Sequence, residues 1–122
     1  MSIEKDIYYI YILRCTDNSL YTGITNNLNN RMKQHFSKNK VGAKYTKSHN
    51  ALKLEASWKC RNKSLALKLE YQLKTLTKKQ KEELIHTRRI NLYLKNKVDS
   101  RFYRNVSLKD FVDEKYIANN EK

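Results

Sequence analysis

Apolar and polar positions follow different rhythms along this 122-residue chain, and each rhythm predicts a different element. Ile7-Tyr8-Tyr9-Ile10-Tyr11-Ile12-Leu13-Arg14 is rich in β-branched and aromatic residues, which predicts a strand rather than a helix. The polar turn Thr16-Asp17-Asn18-Ser19 separates it from a second strand, Leu20-Tyr21-Thr22-Gly23-Ile24-Thr25, so the pair reads as an antiparallel hairpin. A helical period follows in Leu28, Met32 and Phe36, with Asn26 or Asn27 ready to cap the free amides in front of it. Ser37 to Asn50 is polar and basic, contains Gly42, and reads as a loop. From Leu52 to Trp58, Leu52, Leu54, Ala56 and Trp58 alternate with Lys53, Glu55 and Ser57, the pattern of a half-buried strand.

Two more helices are expected. Ser64 is placed to cap a helix whose stripe is Leu65, Leu69, Leu73 and Leu76. Thr77-Lys78-Lys79-Gln80 is a capping box that opens the next, with Leu84 and Ile85 facing inward. Beyond Ile85 the pattern weakens. Ile90, Leu92 and Leu94 suit a short strand or part of a helix, and Ser107-Leu108-Lys109-Asp110 resembles a helix start leading to Tyr116 and Ile117. The expected organisation is a domain over residues 1–85 and a largely helical C-terminal extension over 86–122, whose role is to cover the core, bind substrate or mediate self-association.

Composition narrows the function. Apolar residues make up 39% of the chain, enough for one modest core. The longest apolar run, Ile7 to Leu13, is too short to span a membrane, and no secretory leader pattern is present, so a cytoplasmic, nucleoid-associated protein is expected. Cys15 and Cys60 lack the paired spacing of a zinc site and read as reduced, buried thiols. The net charge of +14 is the larger signal, because such a surface gathers phosphates and gains counterion entropy on binding them. Most of it lies early: residues 1–85 carry 17 cations against seven anions.

Candidate chemistry lies at the margins of these elements. Strand alternation puts Tyr9 and Tyr11 on one face and Ile10 and Ile12 on the other, while Tyr21, Gly23 and Thr25 share a face of the second strand. Two phenols then converge beside a glycine that invites close approach, although amphipathic sheet tyrosines with wet tips satisfy the same pattern. Arg31 and His35 are helical neighbours on the edge of the Leu28, Met32 and Phe36 stripe, where they can reach a phosphate or simply pack. Glu70 sits about 105° from the centre of its leucine stripe, with Lys74 one turn on. It is either a salt-bridge partner or a ligand for a hard divalent cation.

In order and spacing these residues resemble the GIY-YIG nuclease superfamily, in particular its small single-domain bacterial members. Tyr9-Ile10-Tyr11, Tyr21-Thr22-Gly23, Arg31 and His35 carry the likeness, which extends through Gly42-Ala43-Lys44-Tyr45-Thr46 and the segment from Ala66 to Lys74 to about Ile85. Tyr9 replaces the first Gly of the family pattern and Thr22 the middle Ile. The resemblance implies an α+β sandwich, a three-stranded antiparallel sheet flanked by helices, carrying a metal-assisted phosphodiesterase site. By the same likeness, Tyr11 helps activate the attacking water, Tyr21 holds the nucleophile or phosphate, Gly23 permits tight packing, Arg31 neutralises the scissile phosphate, His35 supports it, and Glu70 is the single carboxylate on one Mg²⁺ or Mn²⁺ ion. Unassisted, a tyrosine is a poor base at neutral pH, since its usual pKa is about 10, so nearby cations must help it.

The expected partner is DNA, branched, flapped or single-stranded, with RNA also open. Lys33, Lys38, Lys40, Lys44, Lys47 and Lys74 would follow its backbone and Tyr45 would stack on a base, unless these lysines form a solvated face. A non-catalytic nucleic-acid-binding module on the same scaffold is the competing reading, and it gives the Glu70 carboxylate no task.

Overall fold

The computed structural model describes residues 6–41 and 50–118, with side chains described over 6–37 and 50–118. The architecture is α+β. Strands β1 (Tyr8–Cys15) and β2 (Leu20–Thr25) form the expected hairpin, with Tyr11 opposite Gly23 and Tyr9 opposite Thr25. Strand β3 (Ala51–Cys60) pairs with the other side of β1, placing Ser57 beside Tyr11 and Lys59 beside Tyr9. A two-residue strand β4 (Arg104–Asn105) completes an antiparallel sheet in the order β2-β1-β3-β4. The expected sheet had three strands; the fourth is too short to leave a periodic signal and comes from the extension.

The strand β3 is not half-buried as its alternation predicted. Leu54, Glu55, Ala56, Ser57 and Trp58 are all buried, because both faces of the sheet are covered. The β1–β3 register also shifts between Ile12 and Leu13, so Leu54 joins the opposite face from Ala56 and Trp58. Leu52, assigned inward by alternation, is exposed.

Helix α1 (Leu28–Val41) covers one face, burying Leu28 and Met32. The Asn27 side chain caps it by accepting from the Asn30 amide. It runs past Ser37, where the sequence predicts a loop, since Lys and Asn can extend a helix that tertiary packing has nucleated. Helices α2 (Lys63–Lys74) and α3 (Lys78–Thr87) cover the opposite face with Ala66, Leu69, Leu73, Leu84 and Ile85. The cap of α2 is Asn62 rather than Ser64: its carboxamide accepts from the Leu65 amide. The Thr77–Gln80 box of α3 forms as expected.

Arg14 ties the helical layer to the sheet. It donates through Nε to Glu55 at 2.9 Å and through both Nη atoms to Glu82 on α3 at 2.6 and 2.7 Å. The bond from Arg14, with help from Lys78, holds the Glu82 carboxyl down to about 2. Both thiols are free and buried, and burial pushes the pKa of each up.

After α3 the chain departs from the helical extension expected. It forms one short helix, α4 (Asn91–Leu94), and three single 3₁₀ turns at Ser100–Phe102, Leu108–Asp110 and Glu114–Tyr116. These segments feed both cores: Ile90, Leu94, Val98 and Tyr103 join the α2–α3 side, and Val106, Leu108, Val112 and Ile117 join the α1 side. Beyond β4, Ile117 bridges Leu54, and the Ala118 amide donates to the Leu54 carbonyl at 3.0 Å.

Candidate active site

The hairpin register brings Tyr11 and Gly23 face to face, and the glycine then has a steric reason to be there. A Cβ at position 23 would sit 2.5 Å from the Tyr11 hydroxyl and 3.1 Å from Cε2 of Tyr21. The bare backbone is the cradle in which the Tyr11 phenol lies. Tyr21 stands alongside, its ring centroid 6.2 Å from that of Tyr11.

Helix α1 closes over the two rings. The His35 imidazole meets both edge-on, at centroid distances of 5.7 Å from Tyr11 and 5.5 Å from Tyr21. Its Nε2 is 2.8 Å from the Tyr11 hydroxyl. Arg31, one turn earlier, lies near enough for its charge to act on the same phenol, and its Nη1 donates to the Ile24 carbonyl at 3.4 Å. Enclosed this way, Tyr11 is 0% exposed. Burial, and next the nearby Tyr21, push its pKa well above the ordinary 10.0, while Arg31 pulls weakly the other way. The phenol therefore keeps its proton at neutral pH. With that proton present, the phenol can donate to Nε2 of His35 in the tautomer that carries the imidazole proton on Nδ1.

Glu70, on the margin of α2, is close enough for its charge to act on the Tyr11 phenol. Its side chain is 18% exposed and pairs with Lys74 at 3.3 Å. Among the described residues no three His, Cys, Asp or Glu side chains gather into a metal cage. A single hard carboxylate beside a polar patch does not suit zinc, but it fits Mg²⁺, which keeps most of its waters and takes one or two carboxylates together with substrate phosphate.

The structure thus brings Tyr11, Tyr21, Gly23, Arg31 and His35 together on the α1 face, while Glu70, paired with Lys74, stands on α2, and only its charge bears on the Tyr11 phenol. Lys33 is exposed on α1. Lys44, Tyr45 and Lys47 lie outside the described residues, as do the side chains of Lys38 and Lys40. Sequence reasoning gave no site role to Tyr9, Lys59 or Phe111, which stand beside this cluster, and the tyrosine in place of the family glycine was a signal for Tyr9 alone.

Residues 7–83 match the GIY-YIG catalytic domain, so the chain belongs to the GIY-YIG family, a family of nuclease-type domains. It is 45% identical over 78 residues to the UPF0213 protein FN1575 of Fusobacterium nucleatum, covering 64% of this chain and 76% of that one. It is 48% identical over 82 residues to the UPF0213 protein CPE1444 of Clostridium perfringens, with coverage of 67% and 86%. The solution structure of the UPF0213 protein BH0048 from Bacillus halodurans is 40% identical, spans 66% of this chain and 84% of that one, and superposes with a TM-score of 0.44. By its 45–48% identity to the Fusobacterium and Clostridium proteins, the chain stands with the small bacterial members of the family. No described helix is long and apolar enough to cross a membrane.

Proposed function

We propose that this chain is a divalent-metal-dependent endonuclease that hydrolyses DNA phosphodiester bonds, selects by DNA structure rather than by a long sequence, and acts on nucleoid DNA in the cytoplasm during repair or recombination. The observation that carries this reading is the meeting of Arg31, His35 and Tyr21, all part-exposed, around a shielded Tyr11 on which the Glu70 charge also bears. Hydrolysis of a phosphodiester needs an in-line water, neutralised non-bridging oxygens and a stabilised leaving alkoxide. Arg31 supplies a fixed positive charge for the phosphate oxygens. Tyr21 donates a hydrogen bond that orients the phosphate or water. Glu70 would hold Mg²⁺ or Mn²⁺, and when bound the ion supplies further positive charge at the phosphate.

Tyr11 acts through His35. As a protonated phenol it anchors Nε2, sets the tautomer, and lets the imidazole gain or lose a proton without turning.

The test is incubation of the protein with branched and single-stranded DNA in Mg²⁺ or Mn²⁺, beside Glu70→Ala. Cleavage by the parent, with a loss of about 10²-fold or more in the variant, supports the enzyme. Equal binding and no cleavage by both proteins overturns it and leaves the binding module. Tyr11→Phe is expected to keep the fold, lower the rate and move the pH profile, because His35 loses its anchor.

A further inference from the structure

Tyr9 occupies the place of the family's first glycine, and its ring takes no part in the Tyr11 cluster. It lies one strand repeat from Tyr11 on the same face, about 7 Å away along β1. Across the sheet it is in register with Thr25 on β2 and Lys59 on β3, and Lys59 is opposite Arg104 on β4. Thr25, Tyr9, Lys59 and Arg104 thus form a row at strand spacing beside the Gly23, Tyr11 and Ser57 row.

Phe111 returns to this row from the 3₁₀ turn after β4. Its ring sits 5.8 Å from the Tyr9 ring at 57°, and the Lys59 ammonium stands 5.6 Å from its centroid. Even so, Phe111 remains 40% exposed. An open aromatic ring with the Lys59 ammonium over it and Arg104 across the sheet from Lys59, in a chain of net charge +14, matches the needs of an unpaired nucleotide: a ring for the base and a cation for the phosphate. Paired bases hide their faces in the stack and cannot use such a ring.

We infer that Phe111 and Tyr9, with Lys59 and Arg104, form a stacking platform for an unpaired nucleotide next to the scissile bond, so that the substrate at this site is single-stranded or frayed nucleic acid. The inference rests on the nuclease reading of the Tyr11 cluster for its place beside a cut, and on the aromatic row alone for binding. In the free protein the Lys59 ammonium covers the Phe111 ring; on binding, its flexible stem lets it exchange the ring for a phosphate. The glycine-to-tyrosine change at position 9 and the C-terminal segment are then two halves of one device, since Phe111 is seated on the ring that the change introduces.

The experiment is fluorescence anisotropy of the full chain with labelled oligo-dT and with a hairpin duplex, in EDTA so that no cleavage intervenes. The parent is expected to prefer oligo-dT. Phe111→Ala should bind it about tenfold more weakly with an unchanged salt slope, whereas Lys59→Ala should lower the salt slope by about one. Phe111→Trp should retain binding, and oligo-dT should quench its new indole against the constant background of buried Trp58. Parental affinity in Phe111→Ala, or no preference for oligo-dT in the parent, overturns the platform. If Phe111→Ala melts early, the tryptophan variant decides, and an unquenched indole overturns the inference. The two readings fail separately. Cleavage by the parent with oligo-dT binding unchanged in Phe111→Ala removes the platform and keeps the nuclease, while lost binding in that variant with no cleavage by any protein does the reverse.

Discussion

Both faces of the sheet are covered, yet they are built for opposite ends. On the α2–α3 face, Ile10, Ile12, Ala56 and Trp58 meet Leu69, Leu73 and Leu84, and the contact is apolar apart from the Arg14 clamp at its border. On the α1 face, Leu13, Leu28, Met32 and Leu54 make a similar apolar base, but a phenol, an imidazole and a guanidinium are packed among them. Burying such groups is costly unless each finds a partner, and here the phenol and the imidazole bond each other while the guanidinium donates to the Ile24 carbonyl. One face provides stability, and that margin lets the other hold reactive groups in fixed positions.

This contrast can be broken from either side. Leu69→Ala, on the apolar face, should cost about 2–5 kcal/mol by chemical denaturation, while cleavage per folded molecule stays near the parent's. A large loss of cleavage per folded molecule would show that the faces are not separable. Gly23→Ala, on the reactive face, should cost about 1–3 kcal/mol as its methyl displaces the Tyr11 phenol, and it should lower cleavage more than its stability loss explains.

A smaller effect follows pH. Glu82 is held down to about 2 from an ordinary 4.5, so its contribution to stability is complete above pH 4.5 and shrinks as the pH falls towards 2. Thermal melts across that interval should show a fall in Tm that is shallower in Glu82→Gln. Smallest of all, Thr22 is buried at 2% exposure with its hydroxyl unpartnered among the described residues. Thr22→Val removes that hydroxyl without changing the shape and should raise stability by about 1 kcal/mol, read from the denaturation midpoint.

Much of this was legible in the sequence wherever a local rule decides. The split of Tyr9 and Tyr11 from Ile10 and Ile12 follows from the two-residue strand repeat, and the Thr77–Gln80 box announced α3. Reading failed where distant chain intervenes. Ser57 and Glu55 are polar by sequence but buried, since the bulge in β3 and the returning C-terminal segment enclose them. Asn62 displaced Ser64 as a cap because either could start the same helix, and only the entry of the chain from β3 chooses between them. At the site, motif spacing named the residues that converge, but the Tyr11–His35 bond joins positions 24 apart and depends on how α1 docks. Phe111 had no signal at all, for its partner ring lies at the opposite end of the chain.

The pairing of Leu54, Trp58 and Lys59 with residues near the C-terminus has a consequence beyond the core. A bare strand margin presents its amides and carbonyls to any copy of the same molecule, which is how sheets propagate between chains. Here the last third of the chain occupies those groups on β3. A truncation ahead of Arg104 would therefore do more than remove apolar mass: it would uncover a template for self-association, and the first symptom would be concentration-dependent turbidity rather than a lower melting point.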